Sequence, residues 1–238
     1  MKIALIGYGK MGKAIESIAI ERGHEIVLKI SIDNLNDFTI DNIKKADVAI
    51  EFTNPESAFQ NISACLSASI AVVSGSTGWL EKKNEIFQLC KKIDGSFIHA
   101  NNFSVGVNLF FEVSKILAEY MSKQPSYHVS IEEIHHTEKK DAPSGTAIHL
   151  AQDILSVNPR LSKWVLGTSQ IENELGILSK RIDPAPGTHT VHYDSEIDSI
   201  EIKHTAHNRQ GFALGAVLAA EYIHLKKGVF TMKDVLSL

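Results

Sequence analysis

Hydrophobic residues follow a repeating pattern in the first hundred positions of this chain. Short apolar runs each end at a turn, and most turns lead into a segment with apolar positions at helical spacing. The runs predict β-strands at residues 2–6, 25–32, 46–53, 70–74 and 96–100. Because strands that alternate with helices form parallel sheets, the pattern predicts an α/β fold, a doubly wound sheet of the Rossmann type.

The pattern changes after residue 104. A long amphipathic helix with apolar positions from Val107 to Met121 precedes alternating segments at 127–132, 188–193 and 197–202. These segments predict a smaller α+β unit with a mixed or antiparallel sheet, and 181–189 is interpreted as a loop without a role of its own. An apolar helix from 212 to 223 then returns to the first unit. The predicted domains are 1–103 with 209–238, and 104–208.

The turn after the first strand carries three glycines at the spacing of the dinucleotide fingerprint, G-x-G-x-x-G. Gly7 permits a tight turn, Gly9 lets a pyrophosphate approach the backbone, and Gly12 lets helix and strand pack closely. The second strand ends at Asp33, 21 residues after Gly12. An acidic group there can bind the ribose hydroxyls, which favours NADH, although Lys10 or Lys29 could partly hold a 2′-phosphate. A plain turn residue is the alternative interpretation of Asp33. The whole predicted contact segment is Gly7, Tyr8, Gly9, Lys10, Met11 and Gly12.

Two further turns follow strands of the same predicted sheet. One contains Gly75, Ser76 and Thr77, and the other contains Ala100, Asn101, Asn102 and Phe103. Ligands of open parallel sheets bind beyond the carboxyl ends of the strands, so both turns are expected to line the nicotinamide half of the cofactor. Ordinary strand-to-helix connections are the alternative.

The densest chemistry lies between residues 134 and 147. His135, His136 and Lys139 can supply donors that are charged or close to their titration point at neutral pH. Ser144 is a suitable N-cap for a helix that begins near it, and the free N–H groups of Gly145 and Thr146 would then face an anion. The combination suits acid-assisted chemistry on a small polyanion, whereas a solvated polar loop is the alternative.

Composition limits the possible partners. The 238-residue chain has a formal net charge of −4, which argues against nucleic acid as a partner. Cys65 and Cys90 give neither a disulfide framework nor a zinc pattern, and no metal is expected. The first residues are not a signal segment, and no apolar run is long enough for a membrane span. A cytoplasmic protein without a membrane or nucleic-acid partner is expected.

Several motifs together resemble one family, that of the dihydrodipicolinate (4-hydroxy-tetrahydrodipicolinate) reductases of lysine and diaminopimelate biosynthesis. The resemblance covers nearly the whole chain: GYGKMG, GSTG, NFSVGVN, EIHHxxKxDAPSGTA, GxHxV, HxAxxRxxF and the closing MKDVL. It departs in having Glu51 where the family usually has Asp and Lys10 where it usually has Arg. The chain is also shorter than typical members, mostly after Asp33.

The resemblance implies reduction of a small cyclic dicarboxylate with NADH or NADPH. It implies His135 and Lys139 as the catalytic pair, and His136, Gly145 and Thr146 as substrate-binding residues. Arg209 and Phe212 would lie near the nicotinamide. A homo-oligomer, by resemblance a tetramer, is also implied, and an uncovered face of the second sheet would favour it.

Two other functions remain as alternatives at this stage. A different nicotinamide dehydrogenase acting on an amino or hydroxy acid would share the first hundred residues without needing His135 and Lys139 beside a helix start. A dinucleotide sensor without catalytic activity would keep the glycine fingerprint, and such sensors more often carry a DNA-binding module, which this sequence does not show.

Overall fold

The computed structural model describes every residue from 1 to 238. The chain divides into two compact units, the first formed by Met1–Val105 with Arg209–Leu238 and the second by Gly106–Asn208. The first boundary thus lies two residues after the one expected from the sequence. No helix has the length and apolar character needed to cross a membrane.

The first unit is built on a parallel sheet of six strands. They are β1 (Lys2–Ile6), β2 (Glu25–Ile30), β3 (Val48–Glu51), β4 (Ala71–Ser74), β5 (Ser96–His99) and, near the C-terminus, β11 (Gly228–Phe230). The order is β11-β5-β4-β3-β1-β2, with every neighbouring pair parallel. The predicted Rossmann-type sheet is confirmed. β11 was not predicted, because three residues are too few to show a period.

Helices cover both faces of this sheet, so successive residues of one strand enter different cores. Ile3 and Leu5 pack in one core with the helices at 10–21 and 210–223, whereas Ala4 and Ile6 pack in another with those at 55–67 and 83–92. Between β2 and β3 the chain forms only a 3-10 turn, Leu35–Asp37, and the short helix at 40–43, which agrees with the short polar segment there. The helices are α1 (Lys10–Glu21), α2 (Ile40–Ile43), α3 (Pro55–Ser67), α4 (Lys83–Lys92), α7 (Gln210–Ile223) and α8 (Met232–Leu236).

The second unit is built on a mixed sheet of five strands. They are β6 (His128–His135), β7 (Lys163–Leu166), β8 (Glu174–Arg181), β9 (Gly187–Asp194) and β10 (Ser199–Ala206). Their order is β10-β9-β6-β8-β7; β8 is parallel to β6 and β7, and β9 is antiparallel to β6 and β10. The sequence prediction missed β7 and β8. It was also wrong to treat 181–189 as one loop, because Arg181 ends β8 and Gly187 begins β9.

Helices α5 (Val105–Met121) and α6 (Gly145–Val157) contribute to the core on one face of the second sheet. Ile131, Ile177 and Val191 of the central strands face this core. Since side chains of a strand alternate between faces, Glu133 and His135 point to the same side as Ile131. The apolar stripe of β6 therefore continues into two ionisable residues.

Candidate active site

The turn after β1 gives each of its glycines a different physical role. Gly7 has a φ of +101°, and a Cβ there would lie 2.0 Å from the carbonyl oxygen of Phe52. A Cβ on Gly12 would lie 2.5 Å from the carbonyl oxygen of Gly7, so glycine is needed for α1 to begin this close to the turn. The space around the Cβ position of Gly9 is open, with no atom within 4 Å. The predicted turn and packing roles are confirmed.

The start of α1 fits a phosphate group. The N–H groups of Gly7 and Tyr8 donate to the carbonyl of Ile30, at 3.0 and 2.7 Å. The first two N–H groups of α1, those of Lys10 and Met11, have no acceptor within the chain. They lie at the positive end of a helix dipole, beside the open space over Gly9. The residues present therefore fit the pyrophosphate of a dinucleotide.

Phe52, directly after β3, contacts three of the turns expected to hold the cofactor. Its carbonyl oxygen lies against Gly7, and a Cβ on Gly75 would lie 2.1 Å from its ring. The ring centroids of Phe52 and Phe103 are 5.7 Å apart. The sequence prediction did not identify Phe52 as a site residue. Phe103 is only 2% exposed, so its side chain belongs to the core and any contact with a cofactor would use its backbone.

Glu51 ends β3 as a fully buried carboxylate that holds the neighbouring turns. Ser74 Oγ donates to Oε2 at 2.6 Å, and Ser76 Oγ donates to Oε1 at 2.7 Å. The backbone N–H of Thr53 donates to Oε1 at 3.0 Å, and the Thr53 hydroxyl bonds to the same oxygen. Ser76, predicted to contact the cofactor, is thus turned into the protein, whereas Thr77 is exposed.

The remaining cofactor candidates also belong to the first unit. Asp33 is exposed three residues after β2, and its N–H donates to Ser31 Oγ at 3.1 Å. Lys29 Nζ lies 3.2 Å from Glu16 Oε1 and is therefore already paired. In the turn after β5, the Ala100 N–H donates to the Ser74 carbonyl, and Asn101 is exposed. Asn102 Oδ1 accepts from the Ser104 N–H. Arg209 and Phe212 lie at the start of α7.

In the second unit, β6 and its neighbours bring ionisable groups together at one end of the sheet. Glu133 is directly opposite His189 on β9, and His135 is paired with Arg181 on β8. We call Glu133, His135, Ser144, Arg181 and His189 the Glu133 cluster. The His135 and His189 rings meet edge to face, with centroids 5.0 Å apart. Glu133 is completely buried, and His135 is 8% exposed.

The Glu133 carboxylate is surrounded by donors. The backbone N–H of Ser144 donates to both oxygens at 3.1 Å. Arg181 Nη2 lies 3.3 Å from Oε1, while His135 Nδ1 and His189 Nε2 lie 3.3 and 3.7 Å from Oε2. Burial alone would raise the pKa of this carboxyl, but the donors, His135 foremost, hold the pKa well below its usual range. Burial lowers the pKa of His189, and the bond to Glu133 only partly offsets that effect.

Arg181 fixes the loop that carries the lysine. Its guanidinium donates to the carbonyl oxygens of Lys139, at 3.3 Å, and Asp141, at 2.5 Å, in addition to its contact with Glu133.

Glu133, His135 and His189 have ligand atoms within 4.8 Å of one another. The Glu133 charge is nevertheless already balanced by Arg181, so the cluster does not need a metal ion. The sequence prediction missed Arg181, Glu133 and His189 as site residues.

Lys139 is held at the edge of the cluster by Asp141. Its Nζ donates to the two carboxylate oxygens at 2.8 and 2.9 Å. This bond lowers the pKa of Asp141 below its ordinary value. Thr137, two residues before Lys139, donates its N–H and its hydroxyl to Asp183. The loop therefore presents Lys139 from a defined position, and His136 beside it is half-buried.

The start of α6 has free N–H groups that could bind an anion. Ser144 is the N-cap, and its Oγ accepts from the N–H of Ala147 at 3.2 Å and contacts His189 Nε2 at 3.0 Å. The N–H groups of Gly145 and Thr146 have no acceptor within the chain, and the space over Gly145 is open. The predicted helix start at Ser144 is confirmed. The roles of Gly145 and Thr146 in binding stay predictions.

The fold and these two sites define a class of protein. One unit carries a dinucleotide-type turn, and the other carries an acid–base cluster beside an anion-ready helix start. This is the arrangement of a nicotinamide-dependent oxidoreductase.

Comparisons with known proteins identify the family. The sequence model of the dihydrodipicolinate reductase N-terminus matches residues 1–103, and that of the C-terminus matches 106–236. The chain is 54% identical over 241 residues to 4-hydroxy-tetrahydrodipicolinate reductase of Christiangramia forsetii, covering 100% of this chain and 98% of that protein. The reductase of Methanosarcina acetivorans is 36% identical over 242 residues, covering 99% and 89%. The chain belongs to the dihydrodipicolinate reductase family.

A solved structure agrees on the fold. Dipicolinate-bound dihydrodipicolinate reductase from Paenisporosarcina sp. TG-14 superposes with a TM-score of 0.80 at 23% identity, covering 98% of each chain.

Proposed function

We propose that this chain reduces 4-hydroxy-tetrahydrodipicolinate to tetrahydrodipicolinate with NADH or NADPH, in the diaminopimelate route to lysine. The observation that carries the proposal is local. Two proton donors, His135 within the Glu133 cluster and Lys139 at its edge, accompany a helix start whose free N–H groups suit a carboxylate. The names of the relatives at 54% and 36% identity support this choice over a different dehydrogenase.

The substrate is a small dicarboxylate, and we assign its binding to the start of α6. The N–H groups of Gly145 and Thr146 would donate to one carboxylate, with the helix dipole behind them. His136, half-buried on the preceding loop, would supply a further donor. Glycine at 145 leaves the backbone accessible, since no atom lies within 4 Å of its Cβ position.

Proton donation falls to Lys139 and His135. The 4-hydroxyl group of the substrate leaves as water, which gives the unsaturated cyclic imine; the reduced nicotinamide, when bound, would supply the hydride that adds to C4 of that imine. Negative charge then develops on the substrate ring, and Lys139 would donate the proton that neutralises it, with His135 as the second acid of the catalytic pair. Asp141 fixes the Lys139 ammonium through two hydrogen bonds, so the donor is already oriented.

The first unit would hold the cofactor. Gly7 to Gly12, with the free N–H groups of Lys10 and Met11, would bind the pyrophosphate, and the turns at 75–77 and 100–103 would line the nicotinamide. Asp33 would accept hydrogen bonds from the adenosine ribose and disfavour a 2′-phosphate. We therefore expect NADH to be the better cofactor.

Location and assembly complete the proposal. We expect a cytoplasmic protein, because Cys65 and Cys90 are both buried and free, as in a reducing compartment. We also expect a homotetramer, as the family resemblance implies. Light scattering of the purified protein would then give about four times the mass of the chain, and a monomer at working concentration would refute the tetramer.

A coupled assay tests the reaction. The unstable substrate is generated in place from pyruvate and aspartate semialdehyde by its synthase, and the loss of absorbance is followed with NADH and NADPH separately. We expect rapid oxidation that depends on the substrate. If folded protein that binds dinucleotide oxidises neither cofactor, the function is that of another dehydrogenase or of a sensor.

A further inference from the structure

We infer that Glu133 is a positioning residue that holds the two halves of the substrate site together, the proton donor His135 and the anion-binding start of α6. The inference rests on the proposed function, in which His135 donates a proton and the start of α6 binds a carboxylate. Glu133 would fix the position of these two groups relative to each other. Glu133 itself touches neither substrate nor cofactor in this assignment.

The contact with α6 is through the backbone. Both carboxylate oxygens of Glu133 accept the Ser144 N–H at 3.1 Å. Ser144 is the N-cap residue, so this bond fixes the direction in which the next two N–H groups, those of Gly145 and Thr146, point. A shift of the Glu133 carboxylate would therefore change the direction of the Gly145 and Thr146 N–H groups.

The contact with His135 is through the ring. His135 Nδ1 lies 3.3 Å from Glu133 Oε2 and has no hydrogen-bond partner elsewhere in the chain. The ring is therefore oriented by Glu133 and by packing against His189 and Gly187. Glycine at 187 keeps the other ring nitrogen accessible, since a Cβ there would lie 3.2 Å from Nε2.

The charge of Glu133 is constant over the working range of pH, because its pKa is held well below the usual value. A fixed negative charge favours the protonated form of a donor beside it. The other charged or titratable groups around this pair are Arg181 on β8, His189 on β9, and Lys139 with Asp141 on the loop. His204 on β10 lies next to His189. Removing only the Glu133 charge leaves His135 among groups that are mostly cationic or neutral.

The test compares Glu133→Gln with Glu132→Gln in the full-length enzyme. Glu132 is the preceding residue of β6, points to the other face and pairs with Lys180, so its variant is a matched control. For Glu133→Gln we expect kcat to fall about 10²-fold, as for a small misplacement of reacting groups. The alkaline limb of kcat against pH should also move to lower pH. Binding of dipicolinate, a planar dicarboxylate probe, to the NADH complex should weaken about tenfold, since one oriented contact is lost.

The control should keep the wild-type values of all three quantities. Folded Glu133→Gln enzyme that binds NADH normally but shows wild-type kcat, pH profile and dipicolinate affinity would overturn the inference. So would equal losses in both variants, which would indicate a general structural effect. An inactive wild-type enzyme in the same assay would instead count against the proposed function.

A second variant covers the case in which Glu133→Gln does not fold. Glu133→Asp keeps the charge but shortens the side chain by one methylene, which withdraws the oxygens from Ser144 and His135. We expect a lower kcat and weaker dipicolinate binding with the alkaline limb unchanged. Wild-type kcat and affinity in this variant would show that the reach of Glu133 is immaterial, and the inference would be wrong.

Discussion

Each unit of the molecule contains one completely buried glutamate, and the two glutamates differ in the kind of donor around them. Glu51 accepts from three hydroxyl groups and one backbone N–H. Glu133 accepts from a backbone N–H and is contacted by a guanidinium and two imidazoles. The first glutamate is held by neutral groups, and the second belongs to a charged network.

The difference determines what each glutamate can do. A hydroxyl group can donate or accept, so the three hydroxyl partners of Glu51 can reverse their bonds if the carboxylate becomes an amide, and the amide oxygen can still accept from the Thr53 N–H. The Ser144 N–H and the Arg181 guanidinium can only donate. An amide at 133 would keep one acceptor oxygen for them but would leave the guanidinium charge unbalanced. Glu51 therefore serves to hold turns, whereas Glu133 also sets the charge of the site.

The largest effect is expected from Lys139, at the edge of the charged network. Lys139→Ala should lower kcat by roughly 10²–10⁴-fold, the usual contribution of a positioned general acid. Steady-state kinetics with NADH measures it, and Lys140→Ala, an exposed neighbour, is the control. Affinity for NADH should stay unchanged, because the cofactor residues belong to the other unit. Near-normal turnover of Lys139→Ala would remove the residue from the mechanism.

The two glutamates can be compared directly by their stability. Glu133→Gln leaves Arg181 without its buried partner and should lower the free energy of unfolding by about 3–5 kcal/mol. Glu51→Gln should cost only about 1 kcal/mol, since its hydroxyl partners can rearrange. Urea unfolding of both variants measures the difference. Equal losses would show that burial, and not the type of donor, decides the cost.

The two units also differ in how much of them the sequence predicts. The glycine turn, the helix starts and most strands of the first unit follow local rules, because a parallel sheet buries each strand on both faces and leaves continuous apolar runs. Gly7, Gly9 and Gly12 occupy the expected positions for that reason. In the second unit, β8 carries lysine, arginine and serine among its apolar residues, and the prediction passed over it.

The Glu133 cluster was missed because it is assembled by strand register and not by sequence proximity. Arg181 and His189 reach Glu133 from two different strands. One signal was nevertheless present: the predicted strand ended at 132, but continuing its alternation by one step places Glu133 on the same face as Ile131. A carboxylate on an apolar stripe must be paired, and that need points to an arginine or histidine elsewhere in the chain.

A smaller effect is expected at Asp33, in the first unit. Asp33→Ala removes the group that would bind the ribose and repel a 2′-phosphate, so the preference for NADH over NADPH should fall about tenfold, the value of roughly one such contact. The ratio of kcat/KM for the two cofactors measures it, with Asp37→Ala as a neighbouring exposed control. An unchanged ratio would mean that Asp33 is only a turn residue.

The smallest effect is the dependence of stability on pH, which we expect to arise from the Glu133 cluster in the second unit. Both Glu133 and His189 have lowered pKa values in the folded protein, so the unfolded chain binds more protons as pH falls. Stability should therefore fall below about pH 6.5 through His189, and again below about pH 4.5 through Glu133, where the unfolded groups begin to titrate.

His189→Gln isolates the first of these steps. In this variant the free energy of unfolding should change less between pH 6.5 and 5, by at most one bound proton, about 1.4 kcal/mol per pH unit. His128→Gln, on the exposed start of β6, is the control and should keep the wild-type slope. Urea unfolding at a series of pH values decides the matter. An unchanged slope in His189→Gln would show that His189 takes up its proton equally in the folded and the unfolded protein, so that its burial would not lower its pKa.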